Sequence, residues 1–359
     1  MNGILILVLT PVLLIQDPPT QPIQAEITPQ ARSTIEKGLV WLHRNQARSG
    51  AYGNGSAPVA TTAIVGMAFL AGGHLPGRSK YGENILDAVR FLLKMTSRKG
   101  YINEGQARGM GGSGMHGHGY AVLFLAEVYG MCSGIEGFKN DNLEEELKEK
   151  LTQAIRIIEN SQCANGGWNY EPNPTYDEGS VTITQIQALR ASRNAGIRVN
   201  RDRILKEVEY INKSTNGSGL TRYSLTSGGH TSFALTAAGM SSMNFLGDYN
   251  NPKVKKGLDY LLRSLPGKGK NMSNMGAWGG WYFYGNYYAT LAMYQAKEDS
   301  YWKKWYPAIR EDLIRTQASN GSWTTAESST YGAAFGTGFA LQILQVPNRY
   351  LPIYQNGKD

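Results

Sequence analysis

Two kinds of helical pattern alternate along the chain. The first is one-sided: Leu258, Leu261, Leu262 and Leu265 recur at i, i+3, i+4 and i+7, the stripe of a helix with one face in water. The second is apolar or small nearly all round, as in GYAVLFLAEVYG (119–130), TSFALTAAGM (231–240) and YYATLAMYQA (287–296). A helix without a polar face must be covered on both sides. Glycine-rich loops join each one-sided helix to the buried one that follows.

The loops share a motif. Gln162, Gly166 and Trp168 in QCANGGW reappear as Gln317, Gly321 and Trp323 in QASNGSW, and as Gln46, Gly50 and Tyr52 in QARSGAY. Weaker copies near Thr96, Thr215 and Ser264 complete a series anchored at 46, 96, 162, 215, 264 and 317, with intervals of 50, 66, 53, 49 and 53. The long interval contains the insertion SGIEGFKNDNLEEE. Periods in this range signal stacked supersecondary units. Six outer amphipathic helices around six inner buried ones predict an all-α fold, an α6/α6 toroid. The competing arrangement is an open solenoid, which needs polar capping repeats. The first and last units are as apolar as the others, and this favours closure. The toroid is expected over residues 26–356 as one domain.

Residues 1–25 carry a short apolar run, MNGILILVLTPVLLIQ, of the length of a signal-peptide core and too short to span a bilayer. They read as an export segment, which sends the chain to the periplasm or the medium and leaves peripheral membrane contact as an option. The formal net charge is +8, which favours acidic partners such as phosphates, anionic glycans or a membrane surface. With no lysine-rich run and no nucleic-acid module, nucleic acid is not an expected partner. Oligomeric state is left open. Two cysteines, Cys132 and Cys163, cannot build a disulfide framework and read as structural.

The first unit, Lys37-Gly38-x-x-Trp41-Leu42-x-x-x-Gln46-x-x-x-Gly50-x-Tyr52, resembles the repeat signature of squalene and oxidosqualene cyclases. More widely it resembles the prenyltransferase/squalene-oxidase repeat proteins. Lys256-Gly257-x-x-Tyr260-Leu261 repeats its front half. Longer stretches, HGHGYAVLFLAEVYGM and YFYGNYYATLAMYQ among them, resemble single-toroid members from planctomycete-type bacteria. The resemblance implies a toroid that takes an isoprenoid or other apolar ligand. In class II cyclases of this group the middle aspartate of a D-x-D-D motif is the proton donor. The nearest match here, Thr175-Tyr176-Asp177-Glu178, keeps two acids and loses the first. Protein prenyltransferases of the group hold zinc with an aspartate, a cysteine two residues on, and a histidine. His230-Thr231-Ser232-Phe233 resembles the last element, but Gly179 stands where the cysteine belongs. NGGW followed by TYDEGSVTITQ also resembles helical-toroid pectate lyases, which work on acidic polysaccharide.

In such a ring the inner helices run parallel, so their N-termini surround one mouth and make it electropositive. That suits a diphosphate or carboxylate. Candidate catalytic residues are Asp177, Glu178, His230 and Tyr287. Candidate ligand-binding residues are His116, His118, Arg222, Tyr223, Trp281 and Tyr284, at or near the same rim. His118, Asp177 and His230 come from three consecutive units and could together hold a divalent metal completed by water. The alternative reading is that the histidines bond loop carbonyls and Asp177 caps its helix. The aromatic run from Trp278 to Tyr288 either lines an apolar cavity or packs between helices. Three functions remain in view: an isoprenoid-type toroid for an apolar ligand with an anionic head, a polysaccharide lyase, and a non-catalytic envelope scaffold.

Overall fold

The computed structural model describes residues 26–53, 57–104, 114–133, 138, 142–248, 250–267, 281–324 and 331–355. The expected export segment, and Trp278 of the aromatic run, lie outside them. Among the described residues the chain is all-helical, with twelve α-helices and only isolated β-bridges. Six are outer helices: α1 (Pro29–Arg44), α3 (Gly82–Lys94), α5 (Leu143–Ser161), α7 (Arg201–Ser214), α9 (Pro252–Leu262) and α11 (Asp299–Thr316). Six are inner: α2 (Pro58–Ala71), α4 (Gly114–Cys132), α6 (Gly179–Asn194), α8 (Phe233–Phe245), α10 (Tyr282–Tyr294) and α12 (Ala333–Gln345).

The burial pattern follows the sequence pattern. Every residue of α2 from Val59 to Ala71 is buried, and so is every residue of α10 from Tyr282 to Met293. The outer α3 buries one side, Ile85, Ala88, Val89 and Leu92 among it, and exposes Glu83, Arg90 and Lys94. Inner helices pack in ring order, and the ring closes where α12 packs on α2. Two buried glutamines hold that seam, Gln342 Nε2 donating to Ile64 O (2.9 Å) and Gln345 Nε2 to Ala68 O (2.9 Å). The fold is a closed α6/α6 toroid, and the open solenoid is set aside.

The glycine-rich loops act as clasps between units. Gln46, Gln162 and Gln317 each donate twice from Nε2: to the loop carbonyl of Gly50, Gly166 or Gly321, and to the next outer helix at Asn84, Arg203 or Thr34. The last bond ties the final clasp to α1. Gly166 has φ 95°, and a Cβ there would stand 2.2 Å from the Lys206 carbonyl oxygen. At Gly167 a Cβ would meet the Tyr210 ring at 2.5 Å. The glycine pair therefore lets the loop touch the neighbouring helix. Trp168 is anchored beside it by Nε1 donating to Ile158 O (2.7 Å), and Trp323 likewise to Leu313 O (2.8 Å). Four clasps also donate to an inner-helix hydroxyl: Tyr52 N to Thr62, Trp168 N to Thr182, Thr221 N to Thr236 and Trp323 N to Thr337.

Both cysteines are free and buried, and burial pushes their thiols up to about 11, which keeps them protonated and unreactive.

Candidate functional site

Asp177 and Glu178 are neighbours that face opposite ways. Glu178 has extended backbone angles (φ −143°, ψ 127°), and successive side chains of an extended segment alternate in direction. Asp177 faces the outer layer. Its Oδ2 accepts from Tyr210 Oη (2.7 Å) on α7 and from Leu225 N (2.6 Å). Its Oδ1 accepts from Asn165 Nδ2 (2.9 Å), Thr226 N (2.9 Å) and the Thr226 hydroxyl. Burial alone raises its pKa. The donors of Thr226, Leu225, Tyr210 and Asn165 outweigh that and hold the carboxyl below its ordinary value. A carboxylate saturated by donors is a poor proton source. Asp177 is thus a staple joining clasp, loop and outer helix, and it does not cap α6.

Glu178 is the cap. Its carboxylate accepts from Ser180 N (3.0 Å), Val181 N (2.8 Å) and Ser180 Oγ (2.7 Å). A negative side chain therefore already sits on the N-terminus of α6 and is fully buried there. His116, in the first turn of α4, brings Nε2 to 3.0 Å from Ser180 Oγ and 3.9 Å from Glu178 Oε2. The His116 ring lies 5.8 Å from that of Tyr170, whose hydroxyl is 3.0 Å from the hydroxyl of Tyr223. Tyr223 stacks on His230 (5.6 Å, 18°). Tyr284, from the first turn of α10, reaches the Ser180 carbonyl at 3.3 Å. His116, Glu178, Tyr223, His230 and Tyr284 of the expected set thus form one connected wall at this mouth. Ser180 and Tyr170 complete it. Neither was expected; the polar Ser180 at the start of a helix buried all round was the available sign.

His118 is elsewhere. It is fully buried, with Nδ1 accepting from Ile102 N (3.1 Å) and Nε2 donating to Ala154 O (3.1 Å). It occupies the place that threonine holds in four other clasps, where an acceptor meets the loop N–H. Burial drives its pKa down to about 4, so the ring is neutral. The expected metal set is not assembled: both nitrogens of His118 are engaged, Asp177 faces outward, and His230 is exposed against Tyr223. Among the described residues no group of three or more His, Cys, Asp or Glu side chains is placed to hold a metal ion. Arg222 is exposed beside the wall.

Tyr287 also lies deeper than a rim residue, 1% exposed. It belongs to a column of rings. Trp281, 47% exposed at the start of α10, lies 6.0 Å from Tyr331, which stacks on Phe335 at 4.8 Å. Phe335 meets Phe339 at 5.0 Å, Phe339 meets Tyr287 at 5.1 Å, and Tyr287 meets Tyr288 at 5.0 Å. Tyr288 returns to Tyr284 at 4.7 Å, and its hydroxyl donates to Gln187 Oε1 (2.9 Å). The column runs from solvent at the mouth into the barrel.

No protein-family model matches the chain, and no curated protein matches it significantly. Solved structures do resemble it. One is a type II terpene cyclase from Scytonema in complex with geranylgeranyl dihydroxybenzoate (14% identity, TM-score 0.57, 90% of this chain and 98% of that one). Another is the α-1,6-mannanase from Salegentibacter sp. HEL1_6 with α-1,6-mannotetrose (8%, 0.61, 89% and 98%). A D-mannose isomerase is a third (12%, 0.59, 88% and 97%). At these identities the likeness shows the fold.

Proposed function

We propose that the toroid binds a ligand with an extended apolar portion, received by the aromatic column that descends from Trp281 to Tyr287. That column is the observation that carries the reading. Six rings from Trp281 to Tyr288, spaced 4.8–6.0 Å apart, form a continuous aromatic path from solvent into the barrel, buried from Phe335 inward. The prenyl-bearing substrate of the Scytonema cyclase, on the same fold, supports the reading further. Asp177 does not serve as the initiating acid of a cyclisation, because every hydrogen bond it makes requires it as an acceptor.

The test is calorimetric titration of a C20 polyprenol into the parent chain and into Trp281→Ala. Saturable binding is expected, weakened about tenfold in Trp281→Ala with unfolding behaviour unchanged. Equal affinity in the two proteins rejects the column as the track.

A second reading has its own support. Half-buried rings flanked by hydroxyls (Tyr223 on the exposed His230, the Tyr170–Tyr223 pair) also suit a sugar, and the mannanase and the mannose isomerase share the fold. Tight mannotetraose binding without polyprenol binding would favour it. Failure of both ligands leaves the scaffold reading.

A further inference from the structure

We infer that the group recognised at the His116–Tyr170–Tyr223 wall is an uncharged hydroxyl, so that the mouth selects neutral, hydroxyl-bearing ligands over diphosphates and carboxylates. For a chain-bearing ligand this rests on the aromatic-column reading above and names its head.

Three observations carry it. The α6 N-terminus, the natural seat for an anion at this wall, is already filled by the Glu178 carboxylate, which takes the N–H groups of Ser180 and Val181. An incoming anion would meet that buried charge, because the half-buried His116 Nε2 on this wall lies only 3.9 Å from Glu178 Oε2. The Tyr170 and Tyr223 hydroxyls are 3.0 Å apart, so one donates to the other. Tyr170 also bonds Ser180, so the Tyr223 hydroxyl is the one the pair turns outward, with a proton to give when Tyr170 donates to it and lone pairs to accept with. That donor-and-acceptor character matches an alcohol, a phenol or a sugar hydroxyl; a diphosphate can only accept. Burial, with the Glu178 charge adding to it, pushes the hydroxyls of Tyr170, Tyr223 and Tyr284 up, which keeps them protonated. Ser180 Oγ spends its proton on Glu178, so His116 Nε2 donates to Ser180 Oγ. Arg222 is exposed beside the wall, so an anionic head would have to draw on it rather than on the helix.

The experiment compares four probes on the intact chain by calorimetry at pH 7: a C20 polyprenol, the matching polyprenyl diphosphate, mannotetraose and a tetrameric uronate. The neutral member of a pair is expected to bind about tenfold tighter than its anionic counterpart. In Glu178→Gln, which keeps an acceptor at the cap, the diphosphate or uronate is expected to gain several-fold on its neutral partner. Lipid pairs reporting the preference identify a terpenoid alcohol as the source; sugar pairs reporting it identify a glycan, which overturns the chain reading and keeps this one. Tighter binding of either anion, lost in Arg222→Ala, overturns the inference while the column reading stands. No binding of any probe overturns both.

Discussion

The two ends of the barrel are built from the same six helices and finished in opposite ways. At the N-terminal end of the inner helices the rings and hydroxyls of Trp281, Tyr170, Tyr223 and His116 reach solvent. At the C-terminal end the segment after α12 folds back across the opening. Its two 3₁₀ turns, Val346–Asn348 and Pro352–Tyr354, place Leu351, Ile353 and Tyr354 fully out of solvent. Polar residues on the inner helices catch its backbone. Glu127 Oε1 accepts from Ile353 N (3.2 Å), Gln295 Nε2 reaches Ile353 O (3.5 Å), and Arg190 Nη2 donates to Gln355 O (3.0 Å). Tyr354 Oη donates to Gln342 Oε1 (3.1 Å). A ring of parallel helices has two openings. Here, among the described residues, one is finished with side chains that serve stability, and the other carries the candidate site.

The strongest way to break that division is to remove a ring from each end. Tyr354→Ala is expected to lose about 3–5 kcal/mol in urea unfolding, from the cavity and the unpaired Gln342 together. Trp281→Ala, half in water, should cost no more than about 0.5 kcal/mol while weakening ligand binding about tenfold. Comparable losses at both ends would dissolve the distinction.

Much of this was readable from the chain, and the reasons are physical. Helices such as 231–240 and 287–296 carry no polar face, so two-sided burial and a two-layer ring followed from periodicity alone. The clasp was visible because its glutamine, glycine and tryptophan each meet a backbone demand. The location of the mouth followed from helix direction, and Glu178, His116, Tyr223 and His230 are indeed there. Side-chain direction was not readable. Asp177 and Glu178 look interchangeable in TYDEG, yet an extended backbone sends one outward to Tyr210 and the other to the mouth. His118 resembled a ligand, because a single chain position does not reveal that the same place elsewhere holds Thr62, Thr182 and Thr337. Glu127 was missed altogether; the visible sign was a lone acid inside the apolar run GYAVLFLAEVYG.

Glu127 sharpens the comparison through pH. Burial raises its pKa from 4.5 to about 8, against the opposing pull of the Ile353 N–H and Arg190. The folded state therefore binds the proton more tightly than the unfolded chain. Its stabilising contribution is complete below pH 4.5 and is lost as pH rises through 8, on the order of 4 kcal/mol across that interval. Glu127→Gln removes the titration. Its stability relative to the parent chain should rise steadily from pH 4.5 to 8, measured by urea unfolding at several pH values. A constant difference would show that Glu127 does not titrate against the closing segment.

His118, below the open mouth, works in the other direction and over a narrower range. Its folded pKa of about 4 lies under the ordinary 6.5, so the unfolded chain takes up the proton first. Its contribution is present above pH 6.5 and is lost as pH falls toward 4, on the order of 3 kcal/mol. Between pH 4.5 and 6.5 the two buried groups therefore oppose each other, and the parent chain should be flatter than either variant. His118→Thr restores the hydroxyl used by the other clasps and keeps an acceptor for Ile102 N, at a cost near 1 kcal/mol at pH 7 for the unpaired Ala154 carbonyl. With Glu127 left alone, the stability of this variant should fall monotonically from pH 4.5 to 8. A profile that still rises from pH 4.5 to 6.5 would mean that His118 is not the group responsible, and that the two ends do not titrate against each other.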